Sequence, residues 1–374
     1  MDTLEYTSPQ FILFCMLYGG AAVAAVVLCF YLLFRRGNAI AADITPPIRL
    51  RRWAAAFFAV GALGHLWWFL LYVFAGDSIS WGYIVCVVLD CVLMLTTVSG
   101  ILLSMLQDRK RPVWPFAAAM TPVVVLGVLQ IVRPDINFLN PALLYTLALY
   151  IIFTIYMVMA VRQYGQWLRD NYADLEHKEV WQSHTLLILF LLLVTIYGFA
   201  SDGPSLFLLR IADFVLFGLV LWRVETLPQL EAVSKPEEDS LPASKASEEP
   251  DLLSQKAQAD PAVIRQLLAE HCIDNRLYLQ HDLTLAQLSS IVGINRTYLS
   301  RYFSSQGISY NTYINNLRIN HFVSLYQEAV ASQQSFTLQQ LASDSGYQSY
   351  STFSNAFKQS MGQSVRAWIR ETEG

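Results

Sequence analysis

A stretch of roughly 20 apolar residues is long enough to cross the hydrocarbon of a bilayer as a helix, which satisfies its own backbone polar groups there. This chain has seven apolar runs in succession: Phe11–Phe34, Trp53–Phe74, Trp81–Met105, Trp114–Val132, Pro141–Val161, Thr185–Ala200 and Leu206–Trp222. One such run can be a buried core helix of a soluble protein; seven in a row are not. Only 14% of the residues are charged, against about 25% in an average soluble domain, while 55% are hydrophobic. The first 223 residues therefore predict a seven-helix transmembrane bundle.

The basic residues orient it. Arg35, Arg36, Arg49, Arg51 and Arg52 follow the first run, Arg109, Lys110 and Arg111 the third, and Arg162, Arg169 and Lys178 the fifth; the alternate loops hold only Arg133. Loops rich in Lys and Arg stay cytoplasmic, so the N-terminus is expected outside and everything after Trp222 inside. Trp53, Trp81 and Trp114 open their runs, where amphipathic rings favour the headgroup layer. The first run is too long for a cleaved signal peptide, and its charges follow it instead of preceding it. Cys15, Cys29, Cys86, Cys91 and Cys272 show no CxxC or metal-ligand spacing and read as small apolar core residues.

Four ionisable residues, His65, Asp90, Arg210 and Asp213, fall inside the runs, all in the outer half of the membrane on this orientation. Charge in hydrocarbon is costly and either pairs or lines a cavity. Two readings stand: an outward-facing polar pocket for a small signal ligand, or a structural pair, Asp90–Arg210 or Asp213–Arg210, that sets helix packing. No nucleophile–base motif, zinc spacing or phosphate loop occurs, so neither a catalytic residue, a metal nor a cofactor is expected.

Residues 224–260 change character, with Glu237-Glu238-Asp239, Glu248-Glu249 and several Ser, Ala and Pro but few large apolar side chains. Such a segment buries too little surface to offset its ordering entropy and reads as a flexible acidic linker.

Residues 261–374 contain a repeat. Leu283-Thr284-Leu285-Ala286-Gln287-Leu288-Ser289-Ser290-Ile291-Val292-Gly293 returns as Phe336-Thr337-Leu338-Gln339-Gln340-Leu341-Ala342-Ser343-Asp344-Ser345-Gly346. Thr284 with Gln287 and Thr337 with Gln340 fit capping boxes. Ser289 and Ala342 are small enough to let a second helix cross closely, and Gly293 and Gly346 suit a left-handed turn. Two second helices follow. Leu299, Tyr302 and Phe303 on one and Phe353, Ala356 and Phe357 on the other form matched inward faces. Thr297, Ser300, Arg301 and Ser304 match Ser351, Ser354, Asn355 and Lys358 as outward polar stripes at i, i+3, i+4, i+7. One polar stripe alone is an ordinary solvated face; two copies with matched caps and turns predict a pair of DNA readers, with Arg301 suited to guanine and Asn355 to adenine. Arg296 and Tyr350, at the helix starts, complete the expected DNA-binding set. Ser309–Ala331 reads as one connecting helix that spaces the readers for successive major grooves, roughly 34 Å apart.

These residues resemble the DNA-binding domain of AraC-type transcription regulators. The resemblance rests on the tandem helix-turn-helix, Tyr298-Leu299-Ser300-Arg301-x-Phe303, Gly346-Tyr347 leading to Phe353-Ser354-x-x-Phe357-Lys358, and Gly362-x-Ser364 before a helix holding Trp368. It implies sequence-specific promoter binding and control of transcription initiation, with RNA polymerase as a further partner. Two positions depart from the family: Val365 stands where proline is usual, and Asn355 where many members carry arginine. The domain is barely basic, its arginines (Arg318 among them) nearly balanced by acids, so a single copy is expected to bind weakly and a homodimer to compensate.

The expected whole is an all-α protein of three parts: a seven-span domain at 1–223, the linker at 224–260 and an AraC-type domain at 261–374. It is expected in a bacterial cytoplasmic membrane, coupling an unknown signal ligand to promoter binding. The alternatives are a transporter-like protein with an accessory DNA-binding domain, and an anchored regulator controlled by a membrane partner.

Overall fold

The computed structural model describes residues 9–35, 37–42, 44–74, 80–176, 178–185, 187–188, 203–230, 260–333 and 335–373. Among the described residues every named element is helical; the lone β-bridge pairs Tyr172 with Thr284. The chain divides into two compact units, Met1–Tyr164 with His177–Ala232, and Gly165–Glu176 with Val233–Gly374.

The first unit holds α1 (Pro9–Phe34), α2 (Ile48–Phe74), α3 (Ser80–Met105), α4 (Trp114–Ala119), α5 (Thr121–Val132), most of α6 (Leu139–Asn171) and α7 (Gly203–Thr226). Helices α1, α2 and α7 pack on one another, and α3 joins α2 to α5. Ala54, Ala55, Phe57 and Phe58 of α2 are buried, and Phe217 of α7 meets both phenyl rings edge-on. The outward faces are apolar as well: Met16, Val23, Phe30 and Phe34 of α1 and Leu144, Ile151 and Ile152 of α6 are all exposed. Hydrocarbon solvates such faces and water does not.

Among the described residues five helical stretches are long and apolar enough to cross a membrane: Phe11–Phe34, Ile48–Phe74, Trp81–Met105, Trp114–Val132 and Leu139–Asn171. The structure thus supports five of the seven expected spans. Most of the sixth, Thr185–Ala200, lies outside the described residues. The seventh run lies on a helix, α7, which is not among these five. The fourth is broken at Met120 into α4 and α5, because Pro122 at the start of α5 has no N–H to continue the ladder. The fifth overruns its apolar stretch by ten residues, Arg162–Asn171, since helix-forming residues such as Arg, Gln, Trp and Leu continue after hydrophobicity ends.

The start of the expected linker is also ordered. Val224, Glu225 and Leu227 are buried, and the Glu225 carboxylate accepts from the Ala39 N–H at 2.8 Å and the Ile40 N–H at 2.7 Å. Leu230 N–H donates to Gln107 Oε1 at 2.9 Å. Residues 231–259 of the expected linker lie outside the described residues.

The second unit contains α8 (Pro261–Leu268), α9 (Leu285–Val292), α10 (Arg296–Ser305), α11 (Tyr310–Ala331), α12 (Leu338–Asp344), α13 (Tyr350–Met361) and α14 (Val365–Glu373). It has two cores. Leu268, Leu283, Leu288, Leu299 and Phe303 build the first, and Leu341, Tyr347, Phe353, Phe357 and Val365 the second. The connector α11 serves both, with Tyr310 and Ile314 in the first and Ile319, Phe322 and Tyr326 in the second.

Candidate nucleic-acid interface

Local chemistry builds each reader. Thr284 caps α9 by accepting from Gln287 N–H at 3.2 Å, and Gln287 Oε1 answers on Thr284 N–H at 2.9 Å, which closes the expected box. In the second copy Thr337 accepts from Gln340 N–H at 3.1 Å. Gly293 takes φ +72° after α9, and Gly346 takes φ +89° after α12. At Gly346 there is a second reason for glycine: a Cβ there would lie 2.9 Å from the backbone of Leu279. Asn295 caps α10 through Thr297 N–H, and Ser349 caps α13 through Thr352 N–H at 3.2 Å.

The stripes emerge as the periodicity requires. Leu299, Phe303, Phe353 and Phe357 are buried, while Thr297, Arg301, Ser304, Ser351, Asn355 and Lys358 are exposed and Ser300 and Ser354 half-exposed. Arg301, Asn355 and Lys358 make no side-chain hydrogen bond or ion pair among the described residues, so their donors remain available to a ligand. Tyr350 leans on Phe353 with ring centroids 5.6 Å apart. Val365 starts α14 without proline: its side chain fills the second core, and Ser364 Oγ accepts from Ala367 N–H at 3.3 Å.

Two basic residues of the domain are not where charge balance alone puts them. Arg318 is 1% exposed. Its Nε donates to Tyr278 O at 2.7 Å and its Nη2 to Gln280 O at 2.8 Å, and its guanidinium lies 5.5 Å from the centre of the Tyr347 ring. Burial holds it below the ordinary arginine range and pushes the Tyr347 phenol up. Arg318 therefore rivets the two helix-turn-helix units together and is withdrawn from phosphate. His281 Nδ1 beside Gly346 O, 3.1 Å away, adds to the same seam. Arg296 is half-buried, bonded through Nη2 to Asn171 Oδ1 and lowered by burial.

The segment that reaches Arg296 is the one sequence reasoning missed. Ala173 N–H donates to Leu283 O at 3.1 Å and Ala173 packs into the first core. Asn311 Nδ2 donates to Ala173 O at 2.7 Å. Ser349 Oγ and Thr352 Oγ1 each donate to Glu176 Oε2 at 2.6 Å. The available signal was Arg162–Asn171 continuing as a helix-compatible run past the end of the fifth apolar stretch.

Within the first unit, three of the four ionisable residues meet. Arg210 Nη1 donates to His65 Nε2 at 3.0 Å and pairs with Asp213 Oδ2 at 3.0 Å, and its guanidinium sits 5.4 Å from the Tyr18 ring centre. The acceptor role of Nε2 leaves His65 Nδ1 to donate to Gly61 O at 2.7 Å. Asp90 instead accepts from the Trp68 indole at 2.5 Å.

Residues 288–371 match the model of a family described as a helix-turn-helix domain, of the AraC type. The match covers under a quarter of the chain and takes in both reader helices and the connector. It identifies this region as the DNA-binding domain of a transcription regulator, with double-stranded DNA as its partner. No curated protein and no solved structure matches the chain.

Proposed function

We propose that the chain is a membrane-anchored, sequence-specific transcription regulator of the one-component kind. The observation that carries this is the coexistence, in one polypeptide, of five membrane-length apolar helices and a tandem reader whose Arg301, Asn355 and Lys358 side chains are unengaged. The readers act on a promoter from the cytoplasmic side of a bacterial inner membrane, and the bundle crosses seven times with its N-terminus outside. Arg301 and Asn355 read base edges, and Thr297, Ser300, Ser304, Tyr350, Ser351, Ser354 and Lys358 hold the backbone. Signal reception is assigned to the bundle, with His65, Arg210 and Asp213 as the polar group a ligand would have to perturb; their mutual pairing equally supports a packing role.

Binding of random-sequence duplex pools tests the readers. Arg301→Ala and Asn355→Ala should each relax preference at one base position by about 1–3 kcal/mol. Lys358→Ala should weaken all sequences alike and flatten the salt dependence by roughly one unit of slope. Unchanged sequence preference in both of the first two variants would refute the stripe assignment. For orientation, a membrane-impermeant thiol reagent on intact cells should modify cysteines placed at Ser78 or Gly203 and spare those at Ala42 or Ser247. Labelling at Ser247 would overturn the cytoplasmic placement.

A further inference from the structure

The second unit is made of two stretches far apart in sequence, and the shorter one, Gly165–Glu176, takes in the C-terminal end of the fifth membrane-length helix, Leu139–Asn171, and the residues just after it. Its last six residues engage both helix-turn-helix units and the connector between them. Asn171 bonds Arg296 at the start of α10, Tyr172 bridges to Thr284 at the cap of α9, and Ala173 is held by Leu283 and by Asn311 of α11. Asp174 is buried and its charge acts on both Arg318 and Tyr347 at the seam. Glu176 ends the run at the start of α13.

That last contact has the chemistry of a phosphate site. The first turn of a helix presents unpaired N–H groups and the positive end of its dipole, and it binds phosphate oxygens for that reason. Here two hydroxyls, from Ser349 and Thr352, converge on one carboxylate oxygen at 2.6 Å each. The same turn carries Tyr350 and Ser351 and leads into Ser354 and Asn355, and a recognition helix meets DNA with its N-terminal end. Asn171 likewise occupies Arg296, a cation at the start of the other reader. The segment is acidic, with Asp170, Asp174 and Glu176 against Arg169, as a stand-in for a phosphate backbone requires.

We propose that Asn171–Glu176 is an intramolecular competitor of DNA, a strap whose Glu176 carboxylate holds the seat that a duplex phosphate takes on α13, so that the reader binds DNA only when the strap is displaced. The strap is continuous with a membrane-length helix, and it gives the membrane half a route to the reader that does not pass through the linker. This inference rests on the DNA-binding reading and adds its regulation.

Tyr172 and Thr284 face each other across an antiparallel bridge flanked by the Ala173 N–H to Leu283 O bond, which makes them a close pair with Cα atoms about 4.5 Å apart, within disulfide range. The test uses the full chain in phosphatidylcholine nanodiscs carrying Tyr172→Cys and Thr284→Cys, with the Tyr172→Cys chain as control. The duplex is the one that the reduced double variant selects from a random-sequence pool. The disulfide should form without DNA, and added duplex should slow it. The oxidised chain should bind that duplex at least about tenfold more weakly than the reduced one, and Glu176→Ala in the native chain should bind it about tenfold more tightly, if the strap leaves about a tenth of the readers open. Equal binding by the oxidised and reduced forms would overturn the strap while leaving the readers intact. Failure of the reduced and Glu176→Ala chains to bind any duplex, with the disulfide still forming, would instead remove the DNA-binding reading, and the strap's role with it.

Discussion

Replacing Arg318 should separate two explanations of a buried arginine in a DNA-binding domain. Its guanidinium, 1% exposed, satisfies two carbonyls, Tyr278 O at 2.7 Å and Gln280 O at 2.8 Å, and stacks on Tyr347. A hydrogen bond from a charged donor is worth about 1.5–3 kcal/mol, and each carbonyl left unpaired adds to the loss. Against this stands the cost of burying the cation, which Arg318→Ala removes. The net expectation is a loss of about 3 kcal/mol, within the range of one broken buried network. Since a domain has about 5–15 kcal/mol in hand, most molecules stay folded and the defect can be measured. Hydrogen exchange followed by mass spectrometry on the full chain reads it directly: amides of α12 and α13 should exchange about 150-fold faster, at roughly 1.4 kcal/mol per tenfold. Arg318→Lys keeps the charge but not the fork that spans two carbonyls, and should recover only part of the loss. The slope of DNA affinity against salt should not change, because the group never reaches phosphate. An acceleration under about tenfold, or a salt slope reduced by about one, would refute the rivet and restore Arg318 to the DNA surface.

Two further outcomes follow from backbone and burial. Gly346→Ala should destabilise the second unit more than Gly293→Ala: both need a left-handed conformation costing about 1–2 kcal/mol, but only at Gly346 does a Cβ strike backbone, whereas nothing lies within 4 Å of one at Gly293. Equal losses of thermal stability in the two variants would show that Leu279 yields freely. Cys272 is fully buried, and burial pushes its thiol up to about 11. Because the thiolate is the reactive form and a raised pKa depletes it, iodoacetamide at pH 8 meets about 0.1% thiolate against about a quarter for a free cysteine. Peptide mapping should find Cys272 unmodified until denaturant is added; labelling at the free-thiol rate would contradict its burial.

Sequence reasoning succeeds here wherever the deciding interactions are local. Thr284 with Gln287 and Thr337 with Gln340 close within three residues, and the inward and outward faces of α10 and α13 follow from a 3.6-residue period. Caps, turns, the connector and the solvent-facing stripes of α10 and α13 were therefore legible from the chain alone, as were the apolar runs. The break at Met120 was also within reach, since Pro122 announces it. The end of α6 was not, because hydrophobicity reports the thickness of hydrocarbon while the helix stops where its backbone hydrogen bonds do.

What tertiary structure alone decided is the fate of polar side chains whose partners lie far along the chain. Charge counting treats Arg318 and Arg296 as equal contributions to a basic surface, yet one is enclosed between carbonyls 38 and 40 residues away and the other meets Asn171, 125 residues away. Glu176 sits 173 residues from Ser349, and Arg210 sits 145 from His65. No periodicity encodes such pairs, because each depends on how whole helices pack. Local geometry determined what the readers are; long-range packing determined what holds them together and what occupies them.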